Sequence, residues 1–401
     1  RSLVGSEMCI RDSFIIMFSV ISSGMVAVMT QNIGAGRPGV AYQARQLGLV
    51  FNAALGVIMS LFLSLGAGTI LSGVGVADAL MQPAKTYLQI VGGFCILNAL
   101  IPICSSYLRA FGFSKEPLYA SIIGNVINFC LNAFFLFVLH KGVAGVATAT
   151  VISRIINLVI VVLLGAVLVK AKQHPERESN RAVMGQIIRI GLPSACETAI
   201  YNVSMTLVIR FLNQMDAQGL NVTARSYTMQ ITNFSYCVGA ALAQANAIMT
   251  GWHIGAKEYD ACDRGTKKAA VIGVIVAVIL ETVFTLCSGW IMQLFSKDPQ
   301  MVSLVGKLLA IDIVLEIGRV TNLVYGQALK TSGDAVFPVV MGACFMILCS
   351  VGGTYLFGIR LGLLAVGAYI GMTGDECVRA VGMYLRWKSG KWKEKGLVKS
   401  R

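Results

Sequence analysis

Eleven apolar runs, each long enough to cross a hydrocarbon core, constrain this 401-residue chain more than any other feature. They fall at 14–31, 46–72, 86–108, 118–139, 143–169, 192–213, 227–249, 269–294, 303–325, 335–358 and 362–385, with polar, basic breaks between them. About 20 apolar residues in a helix span a bilayer. In lipid a helix satisfies every backbone N–H and C=O within its own segment. An all-α polytopic membrane protein is therefore expected. Composition agrees, with 56% hydrophobic and only 13% charged residues, against roughly 25% charged in a soluble domain.

The net charge of +14 could suggest nucleic acid, but its distribution argues otherwise. Counting Lys and Arg on alternate sides of the spans gives 21 on one side and 7 on the other. Such a bias is the positive-inside rule, which places the C-terminus in the cytoplasm of a cell (plasma) membrane protein, an inner membrane in a two-membrane cell. The basic ending "RWKSGKWKEKGLVKSR" then lies beside the membrane, held by anionic lipid. No nucleic-acid partner is expected.

Internal similarity divides the chain. "TQNIGAGRPGVAYQAR" resembles "TGWHIGAKEYDACDR", with Gly34 and Gly255 equivalent and 221 positions apart. "RAFGFSKEPLYASIIG" resembles "ALKTSGDAVFPVVMG" at an offset of 218, and "GVAGVA" at Gly142 resembles "GLLAVG" at Gly362 at an offset of 220. The chain thus reads as two halves of one plan, of which the second holds six spans and the first five. A twelfth span is expected upstream, and the halves are expected to be pseudo-symmetric six-helix bundles. The opening residues 1–13, "RSLVGSEMCIRDS", resemble a translated sequencing adapter and are assigned no function. Residues 14–170 form the first bundle, 171–191 a cytoplasmic linker, 192–387 the second bundle and 388–401 a basic tail.

Eleven cysteines stand singly, without C-x-x-C, and His140, His174 and His253 are far apart. Neither zinc nor a catalytic histidine is supported. H-E-x-x-H, G-x-S-x-G and P-loop motifs are absent from the sequence, so neither enzyme chemistry nor energy from bound ATP is expected. No cofactor is expected.

Charges within the apolar runs are costly and are candidates for function. Glu316 with Arg319, and Asp375 with Arg379, are spaced to neutralise each other on one helical face. Asp312, one turn before Glu316, extends a polar face, whereas Glu281 has only Thr282 and Thr285 as local polar company. Glu197 lies in "GLPSACETAIYNVSM" with no cation three or four residues away. Ser194, Glu197, Tyr201 and Ser204 share one face of that helix, a stripe that must meet protein or water. Such a carboxylate suits competitive neutralisation by H+, Na+ or an organic cation. Asn128 and Asn132 are i, i+4 neighbours, suited equally to joining helices and to lining a cavity.

The motifs "LRAFGFSKEPLYASIIGNVINFCLN", "GVAGVATATVISR", "GLPSACETAIYN", "EIGRVTNLVYGQALKTSGDAVFP" and "GDECVRAVGMYLRWKSGKW", in this order, resemble the multidrug and toxic compound extrusion (MATE) family. The resemblance runs from Phe14 to Trp392. It implies a cation (Na+ or H+)/drug antiporter that exports amphipathic, often cationic small molecules by alternating access, expected here to act as a monomer. By the same resemblance Glu197 matches a proposed cation-coupling acid, with Na+ as a candidate ligand, and Asn128 and Asn132 match an N-x-x-x-N pair in the family. Two departures stand out: the family's first helix, with its aspartate, is missing, and Arg319 with Glu316 stands where some members place an aspartate. The rival within the broader superfamily is a lipid-linked oligosaccharide flippase, which requires cavity arginines to hold pyrophosphate.

Overall fold

The computed structural model describes residues 18, 20–74, 78–169, 176–215 and 219–398. The adapter-like segment 1–13 and part of the expected linker lie outside the described residues. Helix is the only regular secondary structure among the described residues. The chain divides into two compact units, residues 1–192 and 193–401.

The first unit holds α1 (20–34), α2 (Pro38–Leu65), α3 (Ala67–Val74), α4 (Asp78–Gly93), α5 (Ile96–Ala110), α6 (Lys115–Ala133), α7 (Gly142–Leu168) and the start of α8 (Asn180–Met215). Pro38 opens α2 at the first helical position, where its missing N–H costs no intrahelical bond. Phe18, Met59, Leu63, Cys95 and Ala99 form a buried cluster, and the buried Asn52 amide crosses it to the Ala99 carbonyl at 3.2 Å. A Cβ at Gly24 would lie 2.0 Å from the Ile187 carbonyl oxygen, and one at Gly191 would lie 1.7 Å from that of Val20. The α1 and α8 backbones therefore touch through a pair of glycines, the close approach that small residues permit between membrane helices.

The second unit holds the rest of α8, then α9 (Leu220–Gly255), α10 (Tyr259–Leu286), α11 (Ser288–Gln293), α12 (Pro299–Ser332), α13 (Val336–Phe345), α14 (Leu364–Lys388) and a 3-10 turn over Lys391–Lys395. Its axis is α12, capped by Asp298, whose carboxylate accepts from the Gln300 N–H at 3.0 Å. The helix ends at Gly333, φ 99°, a left-handed terminus that favours glycine. Small residues on α9 and α10 (Ala243, Ala270 and Ala277) pack with Val320, Val324 and Ala328 of α12. Leu308, Leu309 and Leu315 of α12 join Ala365 and Tyr369 of α14 in a second cluster.

Each of the eleven apolar runs coincides with helix in the described residues. Among the described residues five helices (α2, α6, α7, α10 and α13 with their π-helical continuations) are long and apolar enough to cross a membrane on length and composition alone. The run 86–108 is bent by 42° between α4 and α5. Helices α12 and α14 fall short of that test because they carry the charges described next.

Candidate functional site

The charges within α12 and α14 converge. Arg319 is ion-paired with Glu316 one turn earlier, as the spacing predicted. It also approaches Glu376 of α14 at 3.8 Å. Arg379 binds Asp375 through Nε at 2.8 Å and Glu376 through Nη2 at 2.9 Å. The Asn322 amide donates to Glu376 at 3.0 Å, and the Ser350 hydroxyl to Asp375 at 2.9 Å. The two pairs expected to neutralise themselves separately form one network, with Glu376 as the bridge. Gly318 permits it: a Cβ there would lie 2.8 Å from the Cys377 backbone nitrogen. The α12 and α14 backbones are thus in contact beside Glu316, Arg319, Glu376 and Arg379.

A cluster of carboxylates adjoins this network. Glu281 of α10 joins Asp312 and Glu316 of α12, one oxygen from each lying within 4.8 Å of the others. All three side chains are buried, at 0%, 2% and 0% exposure. Among the described residues Oδ2 of Asp312 and Oε2 of Glu316 lack a hydrogen-bond partner, as do both oxygens of Glu281, beside which lies the Ser235 hydroxyl of α9. Glu281, which has little polar company along its own helix, gains two acidic neighbours from another. Among the described residues neither Glu281 nor Asp312 has a basic side chain within ion-pairing distance. Five buried carboxylates (Glu281, Asp312, Glu316, Asp375 and Glu376) thus share two guanidiniums, Arg319 and Arg379. An all-oxygen set with excess negative charge suits a hard cation.

Glu197 is not unpaired. Lys330 Nζ, near the end of α12, lies 2.7 Å from its Oε2, and both side chains are largely buried. Local spacing missed this cation because it arrives from a helix 133 positions away in sequence. Gly342 of α13 also packs on Glu197: a Cβ at that glycine would lie 3.3 Å from Glu197 Cγ. Along the predicted stripe, Ser194 and Ser204 are buried while Tyr201 is exposed.

In the first unit Asn132 donates to Asn128 at 3.0 Å, and Asn128 donates to Ser153 of α7 at 3.2 Å. The amide pair joins α6 to α7. A π turn, Phe134–Val138, follows directly.

Glu376, Lys330 and Ser350 had no place among the expected site residues. The sequence offered a signal for Glu376, because it stands three residues before Arg379, a spacing that lets it share that guanidinium with Asp375. Lys330 in "ALKT" reads only as a charge at the end of a span.

Comparison with known proteins identifies the family of the chain. The MatE family model matches residues 7–134 and 193–356. The "Uncharacterized transporter YisQ" of Bacillus subtilis is 32% identical, over 98% of this chain and 88% of that protein. The "Probable multidrug resistance protein NorM" of Thermotoga maritima is 22% identical, over 84% of this chain and 76% of that protein. A structure described as an outward-facing multidrug resistance MATE family transporter superposes with a TM-score of 0.88 at 17% identity, covering 98% of this chain and 88% of that one. Its likeness shows the fold alone, an all-helical one. The chain belongs to the MatE family of multidrug and toxic compound extrusion transporters.

Proposed function

We propose that this transporter exports amphipathic, cationic small molecules from the cytoplasm in exchange for Na+ or H+, by alternating access. The observation that carries the reading is the carboxylate excess around Glu281, Asp312 and Glu316. A charge at the centre of a membrane helix costs about 2.5–3.5 kcal/mol on insertion scales. The excess therefore calls for an exchangeable cation. Occupation of this cluster by the coupling ion favours one conformation, and differential affinity for the two states drives the exchange. Relatives bearing the name multidrug resistance protein support a drug-like substrate.

Glu197 takes a secondary part. Lys330 already supplies its counter-charge, so an external cation reaches it only by displacing the ammonium. Arg319 and Arg379 are engaged by carboxylates, which favours drug export over a flippase that needs arginines for pyrophosphate.

Ethidium transport by the purified protein in liposomes tests the reading, with Na+ and pH gradients imposed one at a time. Transport driven by either gradient supports antiport. Transport that ignores both would reduce the protein to a passive conduit.

A further inference from the structure

The basic tail forms an ordered strap. After α14 the chain turns at Gly390, φ 72°, into the 3-10 turn. Trp387 and Trp392 stack at 4.1 Å with planes 9° apart, and both are buried. Trp387 Nε1 donates to Asp263 of α10 at 2.9 Å, while Trp392 meets the Tyr259 ring edge-on at 5.9 Å. Asp334, between α12 and α13, accepts from Arg386 at 2.7 Å and from Lys395 at 2.6 Å. These anchors fix the tail against the first turns of α10.

Exposure then sorts the remaining charges. On α10 one stripe runs through Arg264, Lys268, Val271, Ile275, Ile279, Val283 and Leu286, all exposed and three or four residues apart. A face that is apolar for several turns and then cationic matches hydrocarbon followed by headgroup phosphate. On α14 the exposed residues Val378, Val381, Leu385 and Lys388 repeat the pattern. Trp387 ties the cationic ends of the two stripes together through Asp263, and the strap adds the exposed Lys391 and Lys393. None of Arg264, Lys268, Lys388, Lys391 or Lys393 is ion-paired among the described residues. The exposed acids nearby are Glu258, which is held by His253, Asp260 and Glu394, too few to balance them.

We propose that this angle between the basic ends of α10 and α14 binds the headgroup of an anionic phospholipid, its acyl chains lying along the two apolar stripes. The shared features are a phosphodiester, excess negative charge and two chains. Free phosphate would meet the cations but leave the stripes without a partner.

The test uses the full chain in phosphatidylcholine membranes, with spin-labelled phosphatidylglycerol and spin-labelled phosphatidylcholine as probes. Motional restriction by electron paramagnetic resonance gives their relative association. We expect a preference for phosphatidylglycerol that falls about fivefold per charge removed near the surface in Arg264→Gln and Lys391→Gln, and that persists in Lys391→Arg. Lys115→Gln, an exposed charge of the first unit, should leave it unchanged. Equal loss in Lys115→Gln, no loss in Arg264→Gln and Lys391→Gln, or full displacement by millimolar inorganic phosphate at constant ionic strength would each overturn the proposal.

Discussion

Lys330 holds Glu197: its ammonium nitrogen lies 2.7 Å from a carboxylate oxygen of a side chain that has no cation within a turn of its own helix. The pair joins α8 to α12 and makes a charge-removing substitution at either end a structural change as well as an electrostatic one.

Glu197→Gln should therefore lower stability instead of acting on coupling alone. Removing one partner of a largely buried pair costs about 3 kcal/mol. Lys330→Gln should cost a similar amount, and the double variant less than the sum. Melting of the purified variants in one detergent, arranged as a double-mutant cycle, measures this; additive losses would show that the pair is not coupled.

The α12–α14 contact should be intolerant of bulk. In Gly318→Ala the new methyl lies against the backbone of Glu376 and Cys377, and the shift needed costs about 1–3 kcal/mol. A lower melting temperature together with weaker transport is expected, because the same contact aligns Arg319 with Glu376. An unchanged melting temperature would contradict it.

Asp334 should make the strap sensitive to acid. Burial raises its pKa, but hydrogen bonds from Arg386 and Lys395 outweigh burial and hold the carboxyl below its ordinary value. A lowered folded-state pKa means that its stabilisation is complete above the unfolded value of about 3.9 and fades as pH falls through the folded one. Fluorescence of Trp387 and Trp392 should report release of the strap below about pH 4. Asp334→Asn should show that released signal at neutral pH.

Sequence periodicity located the helices, because apolar runs of span length leave few alternatives in lipid. It also paired Glu316 with Arg319 and Asp375 with Arg379, since both pairs lie within one turn. What it could not supply was contact between helices. Lys330 at Glu197, Glu376 between two arginines, and Glu281 beside Asp312 and Glu316 each depend on how α8, α10, α12 and α14 pack. The bend between α4 and α5 was hidden as well, because an apolar run has the same composition whether straight or broken.

The coupling role of the carboxylate cluster is tested most directly by Glu281→Gln in liposomes carrying an imposed Na+ or pH gradient. The substitution keeps the size of the side chain and leaves no basic partner stranded, so the protein should fold and insert at normal abundance. Gradient-driven ethidium export should fall about tenfold or more, within the range of coupling energies between linked sites, while export without a gradient stays at the parental rate. Parental gradient-driven export by Glu281→Gln, with the same ion dependence, would contradict the account and leave the cluster a structural feature of the second bundle.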